Sequence, residues 1–244
     1  MPGLGPGGRG FKSPLPDNCY SFFLSQLAMW DFMKIRQTIV SNALLAVTAL
    51  TCLATLVACA PSENSRLVNG YKIKPGAELA QADLANAKLA RSFLSWSNLV
   101  GANLSGANLA RADLSFADLT NANMAGANLT LANLRNANLT GANLTGAKLS
   151  QAWLSSSLLT NTNLTGANLQ QADLTDAKLI TTNLTGTILE GANLSGAVLV
   201  LNNLKGTNLK DAILNGTDIS QNDFSQALLV GIITSNTTKF PPVP

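Results

Sequence analysis

The 244-residue sequence contains no histidine. Imidazole is therefore absent both as an acid–base group near neutral pH and as a metal ligand. Cysteine occurs three times, too few for a disulfide-dense scaffold. Charged residues are 12% of the chain, against a usual share of about 25%. Aromatics are 5%. An excess of one charge is missing too. The formal net charge is +3, and residues 59–244 hold 12 positive and 11 negative side chains. A nucleic-acid surface carries a concentrated basic stripe and a DNA mimic an acidic excess; these totals show neither. With 46% hydrophobic residues the composition is not that of a disordered chain.

What is present begins with an address. Residues 1–32 are rich in Gly and Pro and precede Met33, with Met29 as a second candidate start. From Met33 come Lys34 and Arg36, an apolar stretch from Ile39 to Ala58, and Cys59. A charged segment followed by an apolar one is the pattern of a signal peptide. The tetrad Leu56-Val57-Ala58-Cys59 resembles a bacterial lipobox. That resemblance implies cleavage before Cys59 and lipid on its thiol and new amino group. Cys52 would leave with the signal, so the mature chain would hold one cysteine, blocked by lipid. The chain then divides into an upstream extension (1–32), a lipoprotein signal peptide (33–58), a tether and N-terminal cap (59–76), a repeat body (77–231) and a C-terminal cap or tail (232–244). Several acyl chains on one cysteine anchor firmly, each buried CH₂ adding about 0.8 kcal/mol. An ordinary signal anchor with a chance cysteine is the competing reading. Ala60 after the cysteine, rather than Asp, favours an outer membrane where one exists.

The body is one repeat. From Leu79 to Leu229 every fifth residue is large and apolar: Leu throughout, except Met124, Ile219 and Phe224. Two residues before each stands Ala, or else Ser, Thr or Asn. The residue between is mostly Asn or Asp, and the unit reads A-N-L-T-G, as in Ala142 to Gly146. A period of five is neither the 3.6 of a helix nor the 2 of a long strand. The small residue and the Leu, two apart, share a face, and the Asn between them points the other way. The last two residues must turn the chain, a task that suits Gly. Such a unit cannot fold alone; stacked units bury a continuous core.

The number of units per coil is also legible. Gly106, Gly126, Gly146, Gly166, Gly186 and Gly206 stand twenty residues apart. Asp83, Asn103, Asn123, Asn143, Asn163, Asn183, Asn203 and Asp223 fill one twenty-residue column without a break. Four units per coil give a square section. The sequence resembles a pentapeptide-repeat protein, which implies an all-β, right-handed quadrilateral β-helix of nearly eight coils. At a strand spacing near 4.8 Å the rod would be roughly 37 Å long. One small column becomes Thr162, Thr182, Asn202 and Asn222, and buried polar groups need partners, so a hydrogen-bonded ladder along the axis is expected.

The ends of such a rod expose strand edges, which invites end-to-end self-association unless they are covered. Leu67, Val68, Tyr71 and Ile73 are placed to cap the first coil. Ile232, Ile233 and Phe240 are placed to cap the last, followed by prolines that discourage strand addition.

No catalytic constellation, cofactor motif or metal-ligand cluster is visible, and the chain reads as a non-enzyme. Asn-Leu-Ser/Thr triplets match a glycosylation pattern but follow from the repeat itself. Departures from the repeat at outward positions say more. Phe93, Trp96, Phe116 and Trp153 fall on one side of the square, with Trp96 and Phe116 one coil apart and set to stack. Leu158, Ile180, Val198, Val200 and Leu201 fall on an adjacent side. Exposed apolar patches mark interaction sites, and these nine residues are the candidate partner-binding positions. Arg91 and Arg111, one coil apart, read as a solvated pair held apart by neighbours such as Asp113. The leading functional expectation is a lipoprotein of the bacterial cell envelope, held by lipid on Cys59 on the periplasmic side or cell surface. It would present a rigid rod to a protein partner, with no nucleic acid. Two alternatives are a DNA-mimicking, gyrase-binding protein, since some members of the family it resembles bind gyrase, and a passive spacer on a signal anchor.

Overall fold

The computed structural model describes residues 66–241. The signal, Cys59 and the Gly/Pro-rich start lie outside these residues. Each five-residue unit does what its pattern demands. In Ala102–Ala107, Leu104 N–H donates to Asn123 O at 2.7 Å and Gly106 N–H to Ala125 O at 2.9 Å, both in the following coil. Asn123 N–H donates back to Ala102 O at 2.9 Å. Ala107 N–H then closes a turn on Leu104 O at 3.0 Å. Gly106, third residue of that turn, has φ of 64°, which makes the turn type II. The same left-handed position recurs every fifth residue from Gly76 to Gly216.

Parallel bridges join residues twenty apart, from Glu78–Asn98 through Ile213–Ile233. The section is therefore square, with four units per turn. We number the sides in chain order by their outward residue: Glu78 on the first, Asp83 on the second, Lys88 on the third, Phe93 on the fourth. The apolar fifth residues are buried from Leu79 to Ile219, and the small residues two before them are buried from Ala77 to Asn222. Together they form one continuous core.

An antiparallel hairpin, β1 (Arg66–Val68) and β2 (Tyr71–Ile73), opens the structure. Asn69 and Gly70 both have positive φ (51° and 85°), the requirement of a two-residue type I′ turn. Val68 and Ile73 bury against the first coil. Leu67, placed in the cap by its apolar side chain, is exposed instead, because alternation sends it to the other face of β1. Three further strands form a parallel sheet: β3 (Lys178–Ile180), β4 (Val198–Val200) and β5 (Asp218–Gln221).

These longer strands sit beneath the polar column. Thr162 Oγ1 donates to Leu139 O, Thr182 Oγ1 to Leu159 O, Asn202 Nδ2 to Leu179 O and Asn222 Nδ2 to Leu199 O, at 2.6–2.8 Å. The expected axial ladder is thus present. A second column, Thr187 and Thr207, does the same toward Leu164 O and Leu184 O. Among the described residues no buried side-chain polar atom lacks a partner.

The five-residue period in space breaks between Asp218 and Gln226 and resumes at the Asn208–Leu228 and Ile213–Ile233 bridges, with Gly231 again left-handed at φ of 71°. Val198 pairs with Asp218 but Val200 with Gln221, a slip of one residue. Gln221 and Gln226 leave the left-handed series, and Phe224 and Leu229 are only half-buried. Beyond them Ile232 packs against the core, whereas Ile233 and Phe240 are exposed. The C-terminal cover therefore rests on Ile232 and on the buried Thr238, whose Oγ1 donates to Leu214 O at 2.7 Å.

Candidate functional site

The outward Asn or Asp of each unit is held by the turn it precedes. Asn163 Oδ1 accepts from Thr165 N–H at 3.1 Å and from Thr165 Oγ1 at 2.6 Å. The same pair of bonds recurs at Asn143–Thr145 and Asp173–Thr175. The Asn-Leu-Thr triplet is thus an Asx-type support of the corner, a role beyond the outward placement that alternation gives the Asn. The free amide of the Asn side chain reaches one coil back, as from Asn133 Nδ2 to Asp113 Oδ1 at 2.9 Å. Most of the surface is therefore a neutral, self-satisfied lattice, and the side chains that break it stand out.

On the fourth side and its following corner, Trp96 and Phe116 stack with ring centroids 4.2 Å apart and planes at 2°. This is the stacking expected from their one-coil separation. Trp96 is 67% exposed and Phe93 57%, so the residues of 66–76 do not cover them. Both Trp96 and Phe116 have left-handed φ, near 60°, at a position where Gly is free of strain. Trp153 lies further along the same side, with the Arg135 guanidinium 4.6 Å above its ring. Arg135 Nε also donates to Ser155 Oγ at 3.2 Å. A shallow depression lies on this side between Arg111, Leu131 and Trp153.

The second patch is the outer surface of the β3–β4 pair. Ile180 is paired in register with Val200, and both are half-buried, as is Val198. Leu158 stands in the Val198 column one coil before Lys178, and Leu201 is 64% exposed at the next corner. The nine candidate residues thus form two clusters on adjacent sides.

Asp113 does not pair with Arg91 or Arg111. Its Oδ1 accepts from Ser115 N–H, Ser115 Oγ and Asn133 Nδ2, and no ion pair joins it to either arginine among the described residues. The ion pairs present are Lys210 with Glu190 and Asp211, and Lys239 with Asp218, all at the C-terminal end. Asp218 accepts from Ser220 Oγ at 2.7 Å and from Lys239 Nζ at 3.1 Å. The Ser220 bonds and then Lys239 hold its carboxyl down at about 2. Asp223 is likewise lowered by Ser225. Among the described residues no three metal-ligating side chains cluster, and no helix is long and apolar enough to cross a membrane.

A square parallel β-solenoid of five-residue units is the class that the geometry defines. The chain belongs to the pentapeptide repeat family, whose model matches as eight copies over residues 77–115, 112–151, 142–179 and 177–221. No curated protein matches. Solved structures do. HetL, a pentapeptide repeat protein involved in heterocyst differentiation regulation in Nostoc sp. strain PCC 7120, is 28% identical, covering 70% of this chain and 90% of that one, with a TM-score of 0.27. Rfr23 from the cyanobacterium Cyanothece 51142 is 42% identical, covering 42% of this chain and 63% of that one, with a TM-score of 0.26. QnrB1, a plasmid-mediated fluoroquinolone resistance protein, is 18% identical, covering 63% of this chain and 89% of that one, with a TM-score of 0.36. The fold is the right-handed quadrilateral β-helix of the family.

Proposed function

We propose that this protein is a non-catalytic lipoprotein of the bacterial cell envelope, anchored by lipid on Cys59 and presenting its rod to a protein partner. The observation that carries the binding role is the apolar cluster of exposed Leu158 and Leu201 around half-buried Ile180, Val198 and Val200, on a largely polar lattice. Family membership supports a scaffold or binding protein. The anchoring half of the reading rests on Leu56-Val57-Ala58-Cys59 and the basic, then apolar, residues before it. A gyrase-binding DNA mimic would need an overall acidic excess, and the 12 positive and 11 negative side chains of residues 59–244 give that reading no support.

Palmitate labelling and fractionation of wild type and Cys59→Ala test the anchor. Labelled, membrane-bound wild type with an unlabelled variant is the expected result; unlabelled wild type in the soluble fraction would overturn the anchor. Crosslinking of wild type against Val200→Asp tests the binding role. Loss of a defined adduct is expected, and an unchanged adduct profile would leave only a spacer.

A further inference from the structure

The body is nearly neutral as a sum, but the twenty-residue register sorts its charges by side. In residues 77–155 the third and fourth sides, with their corners, carry Lys88, Arg91, Arg111, Arg135 and Lys148 against one acid, Asp113. The first and second sides of the same coils carry Glu78, Asp83 and Asp118 and no base. Beyond Ser156 the third and fourth sides reverse, with Asp173, Asp176, Glu190 and Asp211 against Lys210. The basic stretch coincides with the aromatic one. Phe93, Trp96, Phe116 and Trp153 lie on the same side of the same coils, with Arg91 and Arg111 along the opposite edge of that side. Among the described residues neither Arg91 nor Arg111 has an ion-pair partner. The same end of the rod also holds Arg66 and Lys72 of the hairpin, whose Asn69 and Tyr71 bond the Asp83 backbone on the second side.

We propose that the third and fourth sides of the first four coils dock on an anionic lipid bilayer. Exposed Trp and Phe interleaved with Arg and Lys are the composition of the membrane–water interface, where rings settle at headgroup level and basic side chains pair with lipid phosphates. The Arg135 guanidinium lies over the Trp153 ring, so a cation and its apolar platform are offered together. The depression on this side, between Arg111, Leu131 and Trp153, is open and shallow, unlike a groove that takes an extended peptide. Its position along the chain also fits. Six residues separate Cys59 from Arg66, a reach of about 24 Å when extended. The acidic second half of the same sides is repelled by the surface that attracts the first, so the rod sits tilted, its C-terminal end away from lipid. The orientation rests on the anchored reading above; the docking surface itself does not.

The test uses the full chain mixed with vesicles of phosphatidylcholine, alone or with phosphatidylglycerol, each carrying brominated lipid. The difference between wild type and Trp96→Phe isolates the emission of Trp96. Quenching of Trp96 that requires phosphatidylglycerol is expected. Arg91→Asn with Arg111→Asn keeps a residue tolerant of left-handed φ at both corners, and should lower the docked-to-undocked ratio about twenty-five-fold, about fivefold per arginine. Flotation on phosphatidylcholine reports the anchor separately. A chain that floats there with Trp96 unquenched in both lipids keeps its anchor and overturns the docking. A chain that does not float there, yet is quenched with phosphatidylglycerol, upholds the docking and overturns the anchor. Equal quenching in both lipids overturns the proposal, because the charges would be idle. Arginine-dependent binding to poly-glutamate or to a single-stranded oligonucleotide without vesicle quenching would give the surface to a protein or nucleic acid and end the lipid proposal.

Discussion

Asn202 takes over the hydrogen bond of a turn one coil below it. Its Oδ1 accepts from Thr182 N–H at 2.8 Å and its Nδ2 donates to Leu179 O at 2.8 Å. At an ordinary corner those two backbone groups bond each other, as Ala212 N–H does to Leu209 O. The side-chain amide inserts between them, and the opened corner lengthens β3. Asn222 repeats the insertion against Asn202 N–H and Leu199 O. With no amide above it, Asn222 N–H returns to Ile219 O at 3.3 Å.

This geometry predicts an unusual order of substitutions. Asn202→Ala installs the residue common in this column and lets the Thr182–Leu179 turn close, so it should cost about 1 kcal/mol, a lost hydrogen bond. Asn202→Asp removes the donor and sets a carboxylate against Leu179 O in a buried site, and should cost about 3 kcal/mol or more. Chemical denaturation of both variants checks the order; an alanine variant less stable than the aspartate one would contradict the insertion.

Much of this was open to reading in the sequence, and the exceptions share a cause. The period of five, the twenty-residue columns and the Thr162–Asn222 ladder follow from spacing alone. So does the Trp96–Phe116 stack. The slip between Asp218 and Gln221 does not, because Ile219 and Phe224 keep the sequence period straight through the local break in space. The opened corner depends on what the Asn222 amide bonds, which spacing cannot express. The charge sorting escaped for another reason: Lys88, Arg91, Arg111, Arg135 and Lys148 disappear in a sum over the body and emerge only when the columns are assigned to sides.

The left-handed corners predict a pair of opposite effects. An added Cβ at Gly146 would meet nothing within 4 Å, so Gly146→Ala suffers only from φ of 64°. It should destabilise by about 0.5–1 kcal/mol, after the lower entropy of the unfolded alanine chain is offset. Leu201 has φ of 53° and is 64% exposed, so Leu201→Gly relieves strain and loses little packing. It should stabilise by about 0.5–1 kcal/mol. Thermal melts of the two variants should move in opposite directions, and shifts of the same sign would contradict the strain argument.

Burial falls off at the C-terminal end, and the cost of cavities should fall with it. Leu144 is fully buried between coils, and Leu144→Ala should cost about 2–5 kcal/mol. Phe224 is half-buried past the slip, so Phe224→Ala should cost about half of the roughly 3–5 kcal/mol of a buried Phe. Amide exchange should show the Leu144 coil protected and the Phe224 coil opening first. Equal protection along the rod would contradict a weakened end.

Acid should release the tail before the core. The carboxyl of Asp218 is held at about 2, below its ordinary 3.8, by Ser220 and then by Lys239. A lowered pKa means that the carboxylate form is the one favoured by folding, so its contribution is complete above about pH 4 and is lost as the pH falls toward 2. The partner lost is Lys239, which also bridges to Asp218 through the backbone: Lys239 O accepts from Ile219 N–H at 2.9 Å and Lys239 N–H donates to Thr217 O at 3.0 Å. Both charged groups are solvent-exposed enough that the effect is local to residues 232–241. Backbone amide exchange of Lys239 should therefore rise between pH 4 and pH 2, after correction for intrinsic rates, while that of Leu144 stays constant. Asp218→Asn should remove the pH dependence by removing the titrating group. A Lys239 amide that loses protection in the variant with the same acid midpoint would assign the transition to another carboxylate, with Asp223 the nearest in sequence.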